Sequence, residues 1–461
     1  MSDIISTLKR LVQLGNTELS VEQRINHWLK IAKRILTLVN ANPALAAATL
    51  HIDNDLPKDT QHLLLLALFG KLCRLNDHYL QHVLASLLAS LWLSSKGTPS
   101  DQTANIIRFL RKHNLSIWLD IIKLQKAFRS DKPINYVADI RLNMVQRLCL
   151  LANVFATKTK KADYREVFTQ IVLRLPAHHR PPIAPLINLF NGVLPGAKVY
   201  ANGVPGALVD IQQNHGYVFM LSQGDEDGKW LPLSSIRSPI SLSMPFEHFV
   251  AHYTDTATVR VNHGGTPFLP STFAIQHPPK ALITIIDELQ KRDVDIEQLC
   301  KKIESVPTFN HFLMHTASQD NRLQLPVKSI KQAVLTYGIE RVGDMLIQFA
   351  LLERLTQNQF PLMGMCKQLT LLACSFASYF AQLADSKFSP QSAALTMTFV
   401  CTPLFTLPGF KVSRALPVDL SKAVSINSAF KVKPDTPWLA IASELAGSWH
   451  QSSTWRAVIH Q

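Results

Sequence analysis

Lys328–Leu355, KSIKQAVLTYGIERVGDMLIQFALLERL, is the stretch that sets the fold of this chain. Ser329 can cap a helix, and Gln332 three residues on completes the spacing of a capping box. Ile330, Ala333, Val334 and Tyr337 then recur at i, i+3, i+4 and i+7, one face of a helix. Gly338 is placed to end that helix in a left-handed conformation. A second helix starts at once, with Val342, Met345, Leu346, Phe349 and Leu352 as its apolar stripe. Two amphipathic helices joined by almost nothing must pack at a sharp angle on a shared core. The region around them is therefore read as all-helical. Leu282–Gln290, Ile296–Glu304 with Asp295 as cap, and Thr308–Ala317 precede the pair. Leu362–Leu383, Gln391–Leu404, Trp438–Ser448 and Ser453–Ile459 follow it.

The pattern Ser-x-x-x-Ala-Val-x-x-x-Gly-Ile-Glu-Arg-Val, which starts at Ser329, resembles the HDOD domain, the HD-related output domain of bacterial signalling proteins. The resemblance covers about residues 280–415. It implies a helical module that binds protein in a groove between helices, inside a bacterial cytoplasm. It also locates the metal ligands that active members of the wider HD superfamily carry. Their His-Asp pair falls on Cys401 and Thr402 here, and their earlier histidine falls in Met365–Lys367. No histidine or carboxylate occurs from Phe388 to Lys411. The expectation is a non-enzymatic domain with no catalytic residue, no metal and no cofactor. His311 and His315 stand four apart on one helix, a ligand-capable spacing without an identifiable acidic partner. His178 and His179 are adjacent and cannot easily serve one ion.

Composition sets outer bounds. The 461 residues suffice for several domains, and 47% apolar against 17% charged residues argues for large cores and against wholesale disorder. Cys73, Cys149, Cys300, Cys366, Cys374 and Cys401 form no CxxC pair, which fits reduced thiols in a cytoplasm. Met1–Gly15 is amphipathic with Lys9 and Arg10 inside it, unlike a secretory leader. Phe388–Phe410 is uncharged throughout but holds three prolines, so it reads as buried chain, not as a membrane span. Walker, GxGxxG, GxSxG and HExxH motifs are missing.

Residues 1–190 read as an irregular array of helices without a fixed repeat: Val21–Val39, His62–Leu75, His78–Ser94, Gln102–His113, Ser116–Phe128 and Val137–Phe155. The net charge of +14 is concentrated here, with +12 on residues 1–189. Arg108, Arg111, Lys112, Lys123, Lys126, Arg129, Lys158, Lys160, Lys161 and Arg165 are the candidate surface for nucleic acid or an acidic protein. Lys123, Lys126 and Arg129 step by three and are expected on one helix side. Solvated helix faces account for the same charges.

Residues 191–245 change to short β-type runs at Lys198–Tyr200, Ala207–Ile211, Gly216–Leu221, Lys229–Pro232 and Ser235–Ile236, divided by Asn-Gly and Pro-Gly turns. That spacing suggests a small barrel, similar in outline to SH3-like modules. Tyr200, Tyr217, Phe219 and Trp230 are candidates for a ligand groove or for core packing, and Asp225–Asp227 disfavours nucleic acid at that end. The barrel lacks the Arg-x-x-x-Arg and Asp-x-Ser-x-x-Gly signature of cyclic-dinucleotide binding. Residues 246–279 read as a linker after a short helix at Phe246–Tyr253, with the boundary near residue 275. The fold class expected is thus mainly α: a basic helical domain over 1–190, an SH3-like β-barrel over 191–245, and an HDOD-like domain over 280–461. Three functions stay open: a signalling scaffold that binds protein, a nucleic-acid-associated factor and, against the missing ligands, an active HD-type phosphohydrolase.

Overall fold

A computed structural model describes residues 19–51, 56–94, 100–113, 115–130, 132–158, 164–212, 214–220, 228–237, 269–320, 326–384, 388–414 and 436–460. The chain is mostly helical, with one curled five-stranded antiparallel half-barrel in the middle. It divides into two compact units, Met1–Ser271 with Val412–Arg414, and Thr272–Lys411 with Ala415–Gln461. Among the described residues no helix is long and apolar enough to cross a membrane.

The first unit opens with α1 (Val21–Ala41), started by a full capping box between Ser20 and Gln23. Then come α2 (Pro43–Ala48), α3 (Lys58–Leu72), α4 (Asp77–Leu93), α5 (Ser100–Lys112), α6 (Ser116–Ile122), α7 (Gln125–Phe128), α8 (Ile134–Val137), α9 (Met144–Lys158), α10 (Tyr164–Arg174) and α11 (Pro185–Asn191). Helices α3 and α9 form the centre. Leu63–Phe69 and Leu148–Phe155 are buried on every side, so these two helices show no polar face. His62 donates from Nε2 to the Cys149 carbonyl at 2.8 Å and ties them together. Trp28 packs between Trp92 and Trp118, and the Trp118 indole N–H donates to His82 Nδ1 at 3.1 Å.

Two expected helices are broken. Ser116–Phe128 splits at Lys123–Leu124, where Leu124 is buried and its N–H donates to the Ile121 carbonyl instead of continuing the α-helical ladder. Val137–Phe155 splits between Val137 and Met144, and the buried guanidinium of Arg147 fills the break. It donates to the carbonyls of Val137 at 2.7 Å, Leu142 at 3.1 Å and Asp139 at 3.3 Å. Those carbonyls have left the helical ladder, and a charged donor satisfies them in place of water.

The half-barrel comprises β1 (Lys198–Ala201), β2 (Val204–Gln212), β3 (His215–Met220), β4 (Lys229–Pro232) and β5 (Ile236–Arg237), in the order β4-β3-β2-β1-β5. Asn202 and Gly203, at φ of 50° and 84°, make the tight turn between β1 and β2 that their Asn-Gly sequence favours. Val199, Ala201, Leu208, Val218 and Ile236 form the inner face. Tyr217 is buried against Trp230, so packing accounts for both rings, while Tyr200 is exposed. The expected strand at Ser235–Ile236 begins one residue later, after a 3-10 turn. Asp225–Asp227, Phe246–Tyr253 and Met1–Gly15 lie outside the described residues.

The second unit contains α12 (Lys280–Leu289), α13 (Ile296–Glu304), α14 (Pro307–Asp320), α15 (Ile330–Tyr337), α16 (Ile339–Thr356), α17 (Met363–Leu383), α18 (Pro390–Val400), α19 (Pro403–Thr406), α20 (Pro408–Lys411), α21 (Trp438–Ser448) and α22 (Ser453–His460). Asp295 caps α13 as its position foretold. Ser329 caps α15 by accepting from the Gln332 N–H, but Gln332 returns to the Lys328 N–H, so the box is closed one residue early. The stripe Ile330, Ala333, Val334 and Tyr337 is buried. Helix α16 is buried more widely than one stripe, with Gly343, Ile347, Ala350, Leu351 and Leu355 also covered.

Gly338 serves both helices. Its N–H donates to the Val334 carbonyl, which closes α15, and its carbonyl accepts from Val342 N–H, which opens α16. The φ of 82° has the expected sign, but ψ is 157°, so the residue lies in the extended glycine-only region and not in the left-handed helical one. The carbonyl must turn away from α15 to start α16, and that fixes ψ. A Cβ added here meets nothing within 4 Å. Gly338→Ala is therefore expected to cost about 1–3 kcal/mol through backbone strain alone, read as a lower urea midpoint for the second unit. An unchanged midpoint contradicts this.

Candidate functional site

The positions that the HD resemblance assigns to metal ligands lie at the packing of α17 on α18, beside α16. Cys366, Thr370 and Cys374 recur every fourth residue on α17 and are buried there. Thr398 of α18 is the centre of a small polar cluster. Its hydroxyl donates to the Ala394 carbonyl at 2.8 Å and accepts from Gln348 Nε2 of α16 at 3.1 Å. Cys374 Sγ lies 3.2 Å from the Thr398 hydroxyl and 3.3 Å from the Ala394 carbonyl. Thr370 and Thr402 donate to the backbone carbonyls of Cys366 and Phe399. Ser392 of α18 donates to the Asp344 carboxylate of α16, and burial pushes that carboxyl above its usual range.

Burial also pushes the thiols up, Cys366 to about 11 and Cys401 to about 12. They are protonated at neutral pH, and a protonated thiol is neither a nucleophile nor a ligand of note. The hydroxyls of Thr370, Thr398 and Thr402 are spent on neighbouring carbonyls. Among the described residues no group of three or more His, Cys, Asp and Glu is arranged to hold a metal ion. His311 and His315 stack with ring centres 5.9 Å apart on an exposed face of α14, and His315 meets Gln319. His178 and His179 sit on a 3-10 turn with ring centres 4.0 Å apart.

A groove of about 400 Å³ lies at the glycine junction, with Gly338 in its wall. Ile296 of α13, Val334, Leu335 and Tyr337 of α15, and Ile339, Glu340 and Arg341 of α16 line it. Leu335 is 62% exposed at this site, between the buried Val334 and the exposed Thr336. Glu340 and Arg341 give the groove one charge of each sign. The phenol of Tyr337 donates to Asp320 of α14 at 2.6 Å, which pins one wall. The groove exists because α15 ends and α16 begins on the same glycine, so no linker fills the angle between them.

Compared with known families, curated proteins and solved structures, the chain matches none.

The cationic candidates of the first unit separate into three groups. Arg108, Arg111 and Lys112 lie on α5, with Arg111 and Lys112 exposed in its last turn. Lys123, Lys126 and Arg129 follow, but the break at Leu124 puts them on a helix end, on α7 and in the turn after it, not along one helix side. Arg165 donates to the Gly192 carbonyl at 3.1 Å and lies over the Tyr164 ring, which makes it a fastener for α10. The side chain of Lys158, and Lys160 and Lys161 entirely, lie outside the described residues. The sequence reading missed one feature, an uncovered apolar face on α17. The signal was there: Met363–Leu383 holds one charge, Lys367, so both of its faces are apolar.

Proposed function

We propose that the chain is a non-enzymatic regulatory scaffold that binds a protein partner through the groove at the α15–α16 junction. The exposure of Leu335 in that groove carries the reading. A large aliphatic side chain left in water between two helix ends, with one acid and one base beside it, is what a partner's apolar anchor needs. The polar cluster around Thr398 supports it, because its hydroxyls and thiols bond inward and offer an incoming substrate nothing. The resemblance to HDOD domains supports a place in bacterial signalling, with the half-barrel, SH3-like in outline, as an additional contact module. Six buried cysteines fit a reducing cytoplasm.

An affinity-tagged chain expressed in the cells that produce it tests this. Proteins retained by the wild type are expected to be lost with Leu335→Glu, at an unchanged thermal midpoint. Equal retention by both proteins overturns the groove as the binding site. Phosphodiester turnover by the purified chain, abolished by Cys401→Ala or by a chelator, overturns the non-enzymatic reading.

A further inference from the structure

Helix α17 has one face covered and one face open. Cys366, Thr370 and Cys374 are buried on the side toward α18. On the opposite side Leu372, Phe376, Tyr379 and Leu383 are 53% to 63% exposed, and Leu371 and Phe380 on its two flanks are 42% and 63% exposed. Leu372, Phe376, Tyr379 and Leu383 are spaced four, three and four apart, the a/d spacing of a coiled-coil seam. The same register runs back through Leu369 and Met365, both half-buried. The seam therefore extends about 27 Å along the helix.

We propose that this face is covered by the same face of a second copy of the chain, helix against helix across a two-fold axis. Area is the first argument. Aromatic side chains present about 150–250 Å² each when free, so the exposed fractions of Phe376, Tyr379 and Phe380 sum to roughly 260–440 Å², and the leucines beside them carry the face to about 600 Å². That is at or above the ~300–600 Å² of the largest apolar patch on an ordinary monomer. It approaches the ~800 Å² that each partner contributes to a standard stable interface. Charge is the second argument. The positions flanking the seam are Gln368, Ser375 and Gln382 on one side and Ala373 and Phe380 on the other. None is charged, so nothing repels an identical face and nothing selects a charged stranger. Shape is the third. An isologous contact needs a face complementary to itself. An antiparallel pair with its axis beside Phe376 sets Phe376 against Phe376 of the copy, Leu372 opposite Phe380 and Leu369 opposite Leu383, so apolar side chains meet apolar side chains on both sides of the axis.

Sedimentation of the full chain at micromolar concentration tests the proposal. The expected mass is twice the 51.6 kDa of one chain. Phe376→Lys combined with Phe380→Lys removes two exposed rings. It is expected to give a monomer with dissociation at least a hundred-fold easier and an unchanged thermal midpoint. The six native thiols are buried, so Ser375→Cys supplies an accessible one beside the axis. Under mild oxidation it is expected to link two chains, and to fail to do so in the Lys variant background. A monomeric wild type overturns the proposal, and so does a dimer whose mass and cross-linking survive the Lys substitutions. A monomer in which the thiol introduced by Ser375→Cys resists alkylation means that the chain covers this face with itself, which also overturns it. None of these outcomes bears on Leu335, so the groove reading stands or falls separately.

Discussion

Lowering the pH from 7 to 5 is expected to cost the first unit about 4 kcal/mol of stability, most of it from two buried histidines. His62 is almost fully buried with its ring against Phe128, and burial lowers it from 6.5 to about 3. His82 is 9% exposed and is lowered to about 4, by burial first and by the neighbouring His78 second. Its Nδ1 accepts the Trp118 indole N–H, so a proton there also breaks that bond. Both folded values lie below the unfolded one. The unfolded chain therefore takes up protons below about pH 6.5 while the folded chain does not, and stability falls with pH down to the folded values. Each histidine contributes about 1.4 kcal/mol per pH unit within that window. Asp59 in the same unit acts in the opposite sense. Burial raises its carboxyl, so its contribution is present at low pH and is lost as pH rises through the folded value. His82→Gln keeps an acceptor for Trp118 and removes one titration. Urea midpoints followed by tryptophan fluorescence should lose about half of their pH dependence in this variant. A slope identical to that of the wild type would show that His82 titrates normally.

Arg147→Met is expected to cost the first unit about 3–5 kcal/mol, the range for leaving buried polar groups without their charged partner. The methionine fills much of the volume, so the loss comes from the three carbonyls of Val137, Asp139 and Leu142. For a unit of this size the midpoint should fall on the order of 10 °C. Arg141 supplies the control. It makes a two-pronged contact with the Asp139 side chain in the same loop, at 2.8 Å and 3.1 Å, but its own side chain is 85% exposed. Water and salt screen such a pair, so Arg141→Met should leave the midpoint where it was. Equal effects of the two substitutions would mean that the loop is held by charge and not by hydrogen bonds to buried carbonyls.

The difference between these two arginines marks the limit of reading the chain as text. Both sit in the segment 137–147, both lie within ten residues of Asp139, and period and propensity treat them alike. Only the path of the loop puts one guanidinium inside and the other in water. The break at Leu124 is similar: the periodicity of Ser116–Phe128 runs through it, and the demand of Leu124 for burial interrupts the helix. At the glycine junction more was legible. Ser329, the stripe from Ile330 to Tyr337 and the stop at Gly338 were readable because each is a local requirement of the backbone. The groove beside it was not, because it is a space left between three helices, and no residue pattern encodes a space.

The sequence by itself determined that the chain is mainly helical with a strand-forming stretch in the middle, and that Gly338 ends one helix and begins another. These follow from backbone hydrogen bonding and side-chain period, which act over a few residues. It also showed that Met363–Leu383 lacks a polar face. Tertiary packing alone decided which side of that helix is spent on α18 and which is left in water, since both sides are apolar enough to be buried. The choice follows from size: Cys366, Thr370 and Cys374 let the helices approach closely, and Phe376, Tyr379 and Phe380 do not fit there.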